Sequence, residues 1–120
     1  MSKLWTVLGA ANGFVSVAAG AFGAHGLKRR LAENMLANWE TAARYQMYHA
    51  LALLAVGALA STRGDAVNAA GWSFTAGIVI FSGSLYVLAL TGVTKLGMIT
   101  PIGGLAMLAG WLLLARAAMG

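Results

Sequence analysis

The chain has 120 residues, of which 60% are hydrophobic and 9% charged, with a net charge of +5 and no cysteine. A water-soluble domain of this size has too much surface per unit volume to bury so much apolar material, so lipid is the expected solvent for most of it. Disulfides, thiolate metal sites, iron–sulfur clusters and cysteine nucleophiles are excluded, and the basic residues are too dispersed for a nucleic-acid footprint; anionic lipid headgroups are their simpler partner.

The charged side chains divide the chain into four uncharged runs, Leu4–Leu27, Tyr45–Thr62, Ala66–Thr94 and Leu96–Ala115. About 20 apolar residues in a helix cross a hydrocarbon core, and backbone in lipid must pair internally, so each run is expected to be a helix. The expected fold is therefore all-α: an integral membrane four-helix bundle in a single domain, residues 1–120. The first span, about 4–27, is too long for the apolar region of a signal peptide and reads as retained. Along it Gly9, Gly13, Ser16, Gly20 and Gly23 recur at steps of four and three, forming one stripe of small residues. Such a stripe lets two helices approach closely, within this chain or between two copies. Asn12 stands apart and reads as an interhelical hydrogen bond.

Residues 28–41 follow a different pattern. Leu27, Leu31, Met35 and Trp39 recur every fourth residue, with Lys28, Arg29, Arg30 and Glu33 largely elsewhere on the wheel. A short amphipathic interfacial helix between spans 1 and 2 is expected here, running into a second span at about 42–62. The third span is expected at about 68–92, with Asp65 or Asn68 as N-cap and Gly92 as left-handed C-cap. The fourth is expected at about 100–117, with Thr100 as N-cap and Pro101 at its first position. Trp5 and Trp72 mark one membrane face, and Trp39, Tyr45 and Tyr86 the other, as an aromatic belt. Lys28, Arg29, Arg30, Arg44 and Lys95 outnumber Lys3, Arg63 and Arg116, which favours segments 28–44 and 93–99 on the cytoplasmic side.

Polar residues gather on that same side. His25, Arg44, Tyr45, Gln46, His49, Ser84 and Tyr86 form the candidate ligand-binding set, in a polar pocket open to one face. His49 has three readings: a structural hydrogen bond between helices, a ligand or proton-relay role, or haem or metal ligation together with His25. Glu40 and Arg44 lie one helical turn apart and can pair. No nucleophile elbow, phosphate loop or zinc motif is present, so no catalytic residue, metal or cofactor is expected.

The stretches Gly20-Ala-Phe-Gly-Ala-His-Gly-Leu27, Tyr45-Gln-Met-Tyr-His-Ala-Leu51, Phe81-Ser-Gly-Ser-Leu-Tyr86 and Thr100-Pro-Ile-Gly-Gly104 together resemble the YgdD family of small bacterial membrane proteins, a domain-of-unknown-function family. The resemblance implies a multi-pass protein of the bacterial inner membrane and no defined activity. The leading functional expectation is a non-enzymatic protein that binds a lipid-like ligand, a partner membrane subunit or a second copy of itself. A small transporter or channel is the alternative, and a haem- or quinone-associated protein a further one.

Overall fold

The computed structural model describes residues 2–120, and all of its regular structure is helical. Helix α1, Ser2–Phe22, continues through a wider π-helical turn at Gly23–Leu27. Helix α2 runs unbroken from Glu33 to Arg63. Helix α3, Asn68–Gly77, passes through a second π-helical turn at Ile78–Ser82 into α4, Gly83–Thr91. Helix α5 is Thr100–Met119. Three helical stretches are long and apolar enough to cross a membrane: Ser2–Leu27, Glu33–Thr91 and Thr94–Met119.

The middle stretch has 59 residues. Held straight it would be about 90 Å long at 1.5 Å per residue, whereas the longest dimension of the molecule is 48 Å. It therefore folds back on itself. The reversal falls at Gly64, whose φ of 57° and ψ of −135° lie in a region that essentially only glycine occupies. Its N–H still reaches Ala60 O and closes α2. Beside it the Arg63 guanidinium donates to Ala118 O at 2.8 Å, meeting an end carbonyl of α5 where a cation is favourable. Far from the turn, Ser82 Oγ donates to Ala42 O at 2.8 Å, fixing the antiparallel register.

Two expected helix ends are built differently. Asn68 does not cap α3, because its Oδ1 accepts the Trp5 indole N–H at 3.0 Å, and Asp65 lies in a 3-10 turn, Gly64–Val67. Thr100 is already the first residue of α5, with Pro101 in its first turn, and the Thr100 hydroxyl turns to Ser84 at 2.6 Å. Gly92 does adopt the left-handed conformation expected of it, φ 73°, and its N–H meets Leu88 O at 2.7 Å.

Of the helix expected over 28–41 and running into the second span, the structure forms only the part from Glu33 onward. Residues 28–32 make a turn, and Glu33 onward belongs to the same rod as the second span. The physical reason is that nothing between Glu33 and Arg44 breaks a helix. The sequence there has no Pro or Gly, and alanine is frequent. The fourfold apolar pattern faces the protein at Trp39, which packs with Leu27 and Ala89 against Leu31, Leu36 and Tyr86.

The helices do not form a closed ring. Helix α1 packs along α2, α2 is central, and α3 with its π-helical turn packs along α5; α1 and α5 make no substantial contact among the described residues. The molecule is accordingly flattened, 48 × 26 × 16 Å. Its main core joins Trp5, Leu53, Val56, Val67, Phe74, Ile78 and Met107. Trp5 is fully buried and Trp39 nearly so, whereas Trp72 and Trp111 are about half exposed. Only part of the expected aromatic belt thus faces outward. Each buried indole N–H needs an internal acceptor, and Asn68 Oδ1 and Ala19 O supply them.

Small residues set how close the helices come. A Cβ on Gly71 or Gly110 would enter the rings of Trp5 and Phe74, and one on Gly103 would overlap the backbone of Phe81. The stripe on α1 lies against α2 of the same chain. Gly9 abuts Ala50 and Leu54, Gly23 abuts Trp39, and Ser16 Oγ donates to Ala43 O at 2.7 Å. Gly13 is looser, and beside Gly20 the seam is open.

Candidate functional site

The polar residues of the middle of the molecule resolve into two hydrogen-bonded chains. In the first, Asn12 Nδ2 donates to Leu8 O at 2.8 Å, Gln46 Nε2 donates to Asn12 Oδ1 at 2.9 Å, and the Tyr86 hydroxyl donates to Gln46 Oε1 at 2.7 Å. This chain ties α1, α2 and α4 together across the buried Gln46. Asn12, set apart by the sequence reading, is thus one end of the cluster. The reach is longer than helical position suggests because both amide side chains extend across the α1–α2 seam.

The second chain centres on His49, which is buried. Its Nδ1 lies 2.7 Å from Tyr45 O, and its Nε2 lies 3.2 Å from the Trp111 indole nitrogen. A carbonyl only accepts and an indole N–H only donates, so these partners select the neutral tautomer with the proton on Nδ1. Both ring nitrogens are engaged, and His49 joins α2 to α5. Ser84 joins α4 to the start of α5 through Thr100. Among the described residues, no buried side-chain nitrogen or oxygen lacks a partner.

The remaining sequence-selected residues lie elsewhere. His25 is exposed on the first π-helical turn, and Arg44 is exposed on α2. Arg44 and Glu40 border a shallow groove of about 330 Å³ along the open part of the α1–α2 seam, with Ser16, Gly20, Ala43, Met47 and Tyr48. Of the seven selected residues, only Tyr45 and His49 face the main groove among the described residues.

That cavity is a groove of about 670 Å³ between α2, the Ile78–Ser82 turn and α5. Tyr45, Tyr48 and His49 form one wall, Phe81 the floor, and Pro101, Gly104, Leu105, Met107, Leu108 and Trp111 the other wall. Its surface is apolar and aromatic, unlike the polar pocket expected from sequence. The polar groups of this region point between helices, where unpaired they would be costly, and leave hydrocarbon and rings facing outward. Sequence reasoning missed the α5 wall. Residues 101, 104, 108 and 111 do recur at helical spacing, but a groove wall and a lipid-facing stripe have the same composition.

These hydrogen bonds carry a measurable consequence. Tyr86→Phe leaves Gln46 Oε1 without its donor, and the expected loss is about 1 kcal/mol of stability. Titration of the purified protein with SDS in mixed micelles, read by circular dichroism, measures it. The Gln46→Leu, Tyr86→Phe double variant should then cost less than the sum of the two single changes, because they act on one chain.

An all-helical chain whose apolar helices are long enough to cross a membrane, and whose internal polar groups pair between helices, defines a helical membrane protein. Residues 19–104 match the family described as "Protein of unknown function (DUF423)", and the chain belongs to that family. It is 52% identical over 112 residues to the UPF0382 membrane protein SAB0533 of Staphylococcus aureus (strain bovine RF122 / ET3-1), covering 93% of this chain and 92% of that one. It is 53% identical over 112 residues to the UPF0382 membrane protein SH2409 of Staphylococcus haemolyticus, covering 93% and 92% respectively. It is 45% identical over 119 residues to the UPF0382 membrane protein YwdK of Bacillus subtilis, covering 98% and 97%. No solved structure matches the chain. The kind of family expected from the sequence motifs, membrane proteins without a defined activity, is the kind found.

Proposed function

We propose that the chain is a non-enzymatic, four-span protein of the bacterial inner membrane that holds a lipid-like amphipathic ligand in the groove between α2 and α5. The observation that carries this is the groove itself: about 670 Å³, within the range of ligand sites, lined by rings and aliphatic side chains. The fold-back of the 59-residue helical stretch at Gly64 supports counting it as two spans. Arg44 and Arg63 lie nineteen residues apart on α2, a rise of about 28 Å, close to the hydrocarbon thickness. That spacing supports a reading with Tyr45 and Tyr48 near one interface and the groove inside the bilayer. The excess of basic residues at Lys28, Arg29, Arg30, Arg44 and Lys95 favours that interface as the cytoplasmic one. Membrane lipids are the surrounding partner, and the exposed apolar faces of α1 and α5 leave room for a partner subunit or a second copy.

Native mass spectrometry of protein extracted in mild detergent tests the reading. The expected result is a retained small amphipathic molecule that Gly104→Leu removes. A Cβ at Gly104 approaches Phe81 no closer than 3.8 Å, so this side chain enters the groove without disturbing the helix contact. An adduct-free wild-type protein, or an adduct untouched by Gly104→Leu, would overturn it.

A further inference from the structure

The outward side of α2 carries a helix-packing pattern that no other described helix covers. Glu40, Arg44, Met47, Leu51, Leu54 and Ala58 recur at alternating steps of four and three. That is the spacing at which the side chains of one helix mesh with those of another. All but Met47 are exposed, Leu51 by 56%, although α2 is the central helix of the molecule. We infer that this stripe is the two-fold interface of a homodimer, in which α2 packs along α2 of a second copy and Glu40 and Arg44 pair across the contact. The stripe lies on the side of α2 turned toward α1, and the inference does not depend on the α2–α5 groove holding a ligand.

The two charges sit where they need partners. Ser16 Oγ meets Ala43 O and Ser82 Oγ meets Ala42 O, which sets the depth of α1 and α4 against α2. From those contacts Phe22 on α1 and Leu90 on α4 lie about 9 and 12 Å further toward the Glu33 end of α2. They are 52% and 55% exposed, so apolar surface continues past the level of both Arg44 and Glu40. An ionised side chain set among apolar surfaces calls for an opposite charge. Among the described residues neither Glu40 nor Arg44 forms an ion pair or a side-chain hydrogen bond within the chain.

This arrangement of charge is self-complementary. About a two-fold axis along the bilayer normal, two parallel copies of α2 bring the Glu40 of each beside the Arg44 of the other, and one patch serves both sides. An anionic lipid headgroup drawn to Arg44 would instead meet the Glu40 carboxylate one turn away. The surface also has room for a facing helix. The groove of about 330 Å³ beside Gly20 and Met47, and a second of about 490 Å³ beside Thr6, Leu54 and Ala58, flank the stripe along the α1–α2 seam. Ridges of one helix fill such hollows of another. A Cβ on Gly20 would meet nothing, so the approach is open there. In lipid, close packing and paired charges are what hold helices together.

The chain has no cysteine, so single cysteines report contacts between copies directly. Leu51→Cys in native membranes, treated with copper–phenanthroline, is expected to give a disulfide-linked dimer on non-reducing gels. Leu112→Cys, at a position 75% exposed on α5, is expected to stay monomeric. In the Leu51→Cys background, Arg44→Glu sets like charges together and should lower the linked fraction about tenfold. The Glu40→Arg, Arg44→Glu exchange should restore it. All of these positions are exposed, so the variants keep the monomer fold, which circular dichroism checks. A monomeric Leu51→Cys protein, as expected if lipid or another protein covers the stripe, overturns the interface. Equal linking at Leu51 and Leu112 overturns it too, as chance collision. A linked fraction unmoved by Arg44→Glu, or a loss that the exchange does not restore, overturns the pairing of Glu40 with Arg44.

Discussion

Gly103→Val is expected to abolish the folded state. A Cβ at this position would overlap the backbone nitrogen and Cα of Phe81 rather than a movable side chain. Phe81 lies in the π-helical turn Ile78–Ser82, so the obstacle is a helix. Relief requires the whole of α5 to move away from α3, and Gly77, whose own Cβ would meet Met107 and Gly103, would part with it. Lipid supplies no hydrophobic drive to bring apolar helices together, so close packing is what holds this pair, and its loss is not replaced. The neighbouring Gly104→Ala serves as the control, since its Cβ has ordinary contact distances. Size-exclusion chromatography and thermal unfolding in detergent should give a monodisperse, wild-type-like Gly104→Ala protein and an aggregated or undetectable Gly103→Val protein. A folded Gly103→Val protein with wild-type thermal stability would show that the α3–α5 contact is not as close as described.

Trp5→Ala should be the costliest truncation of a single side chain. Trp5 is fully buried, lies edge-on to Trp72 at 4.9 Å, presses its ring on Gly71, and donates to Asn68 Oδ1 at 3.0 Å. Its removal opens a large cavity where α1, α2 and α3 meet and leaves the Asn68 carbonyl unpaired. Large-to-small core changes of this kind cost about 3–5 kcal/mol in water. In a bilayer the transfer part shrinks, because the unfolded reference is also apolar, and the packing and hydrogen-bond parts remain. The expected loss is therefore about 3 kcal/mol by SDS titration. Trp5→Phe keeps most of the packing and loses the donor, so it should lose about half as much. Equal losses for the two variants would assign the role to the hydrogen bond rather than to packing.

Much of the helical layout was readable because a bilayer penalises bare charge. Lys3, Lys28, Arg63, Lys95 and Arg116 lie within a few residues of the ends of helical stretches. Gly92 was readable for a local reason, since a left-handed residue after an apolar helix favours glycine. The running of the helix into the second span was readable, but the turn at 28–32 was not, because the fourfold spacing of Leu27, Leu31, Met35 and Trp39 passes through it without a break.

The candidate site divides in the same way. Gln46, His49, Ser84 and Tyr86 stand out in an apolar sequence, and three of them meet partners on other helices from Asn12, Trp111 and Thr100. Tyr86 meets Gln46. Whether such groups line a pocket or close on one another depends on rotations of helices a few residues apart, to which composition is blind. His25 and Arg44 share their polarity, yet both are exposed away from the main groove.

From the linear order of residues alone came the solvent, the all-helical class and the approximate reach of each apolar run, because each is a one-dimensional consequence of the cost of burying charge and unpaired backbone in hydrocarbon. The folded arrangement chose the rest: that the buried polar atoms face each other, that two tryptophans lie inside, and that an aromatic groove opens between α2 and α5. Those outcomes hang on contacts such as Gly103 against Phe81 and Asn68 against Trp5, where residues distant in sequence settle orientation by shape and hydrogen bonding.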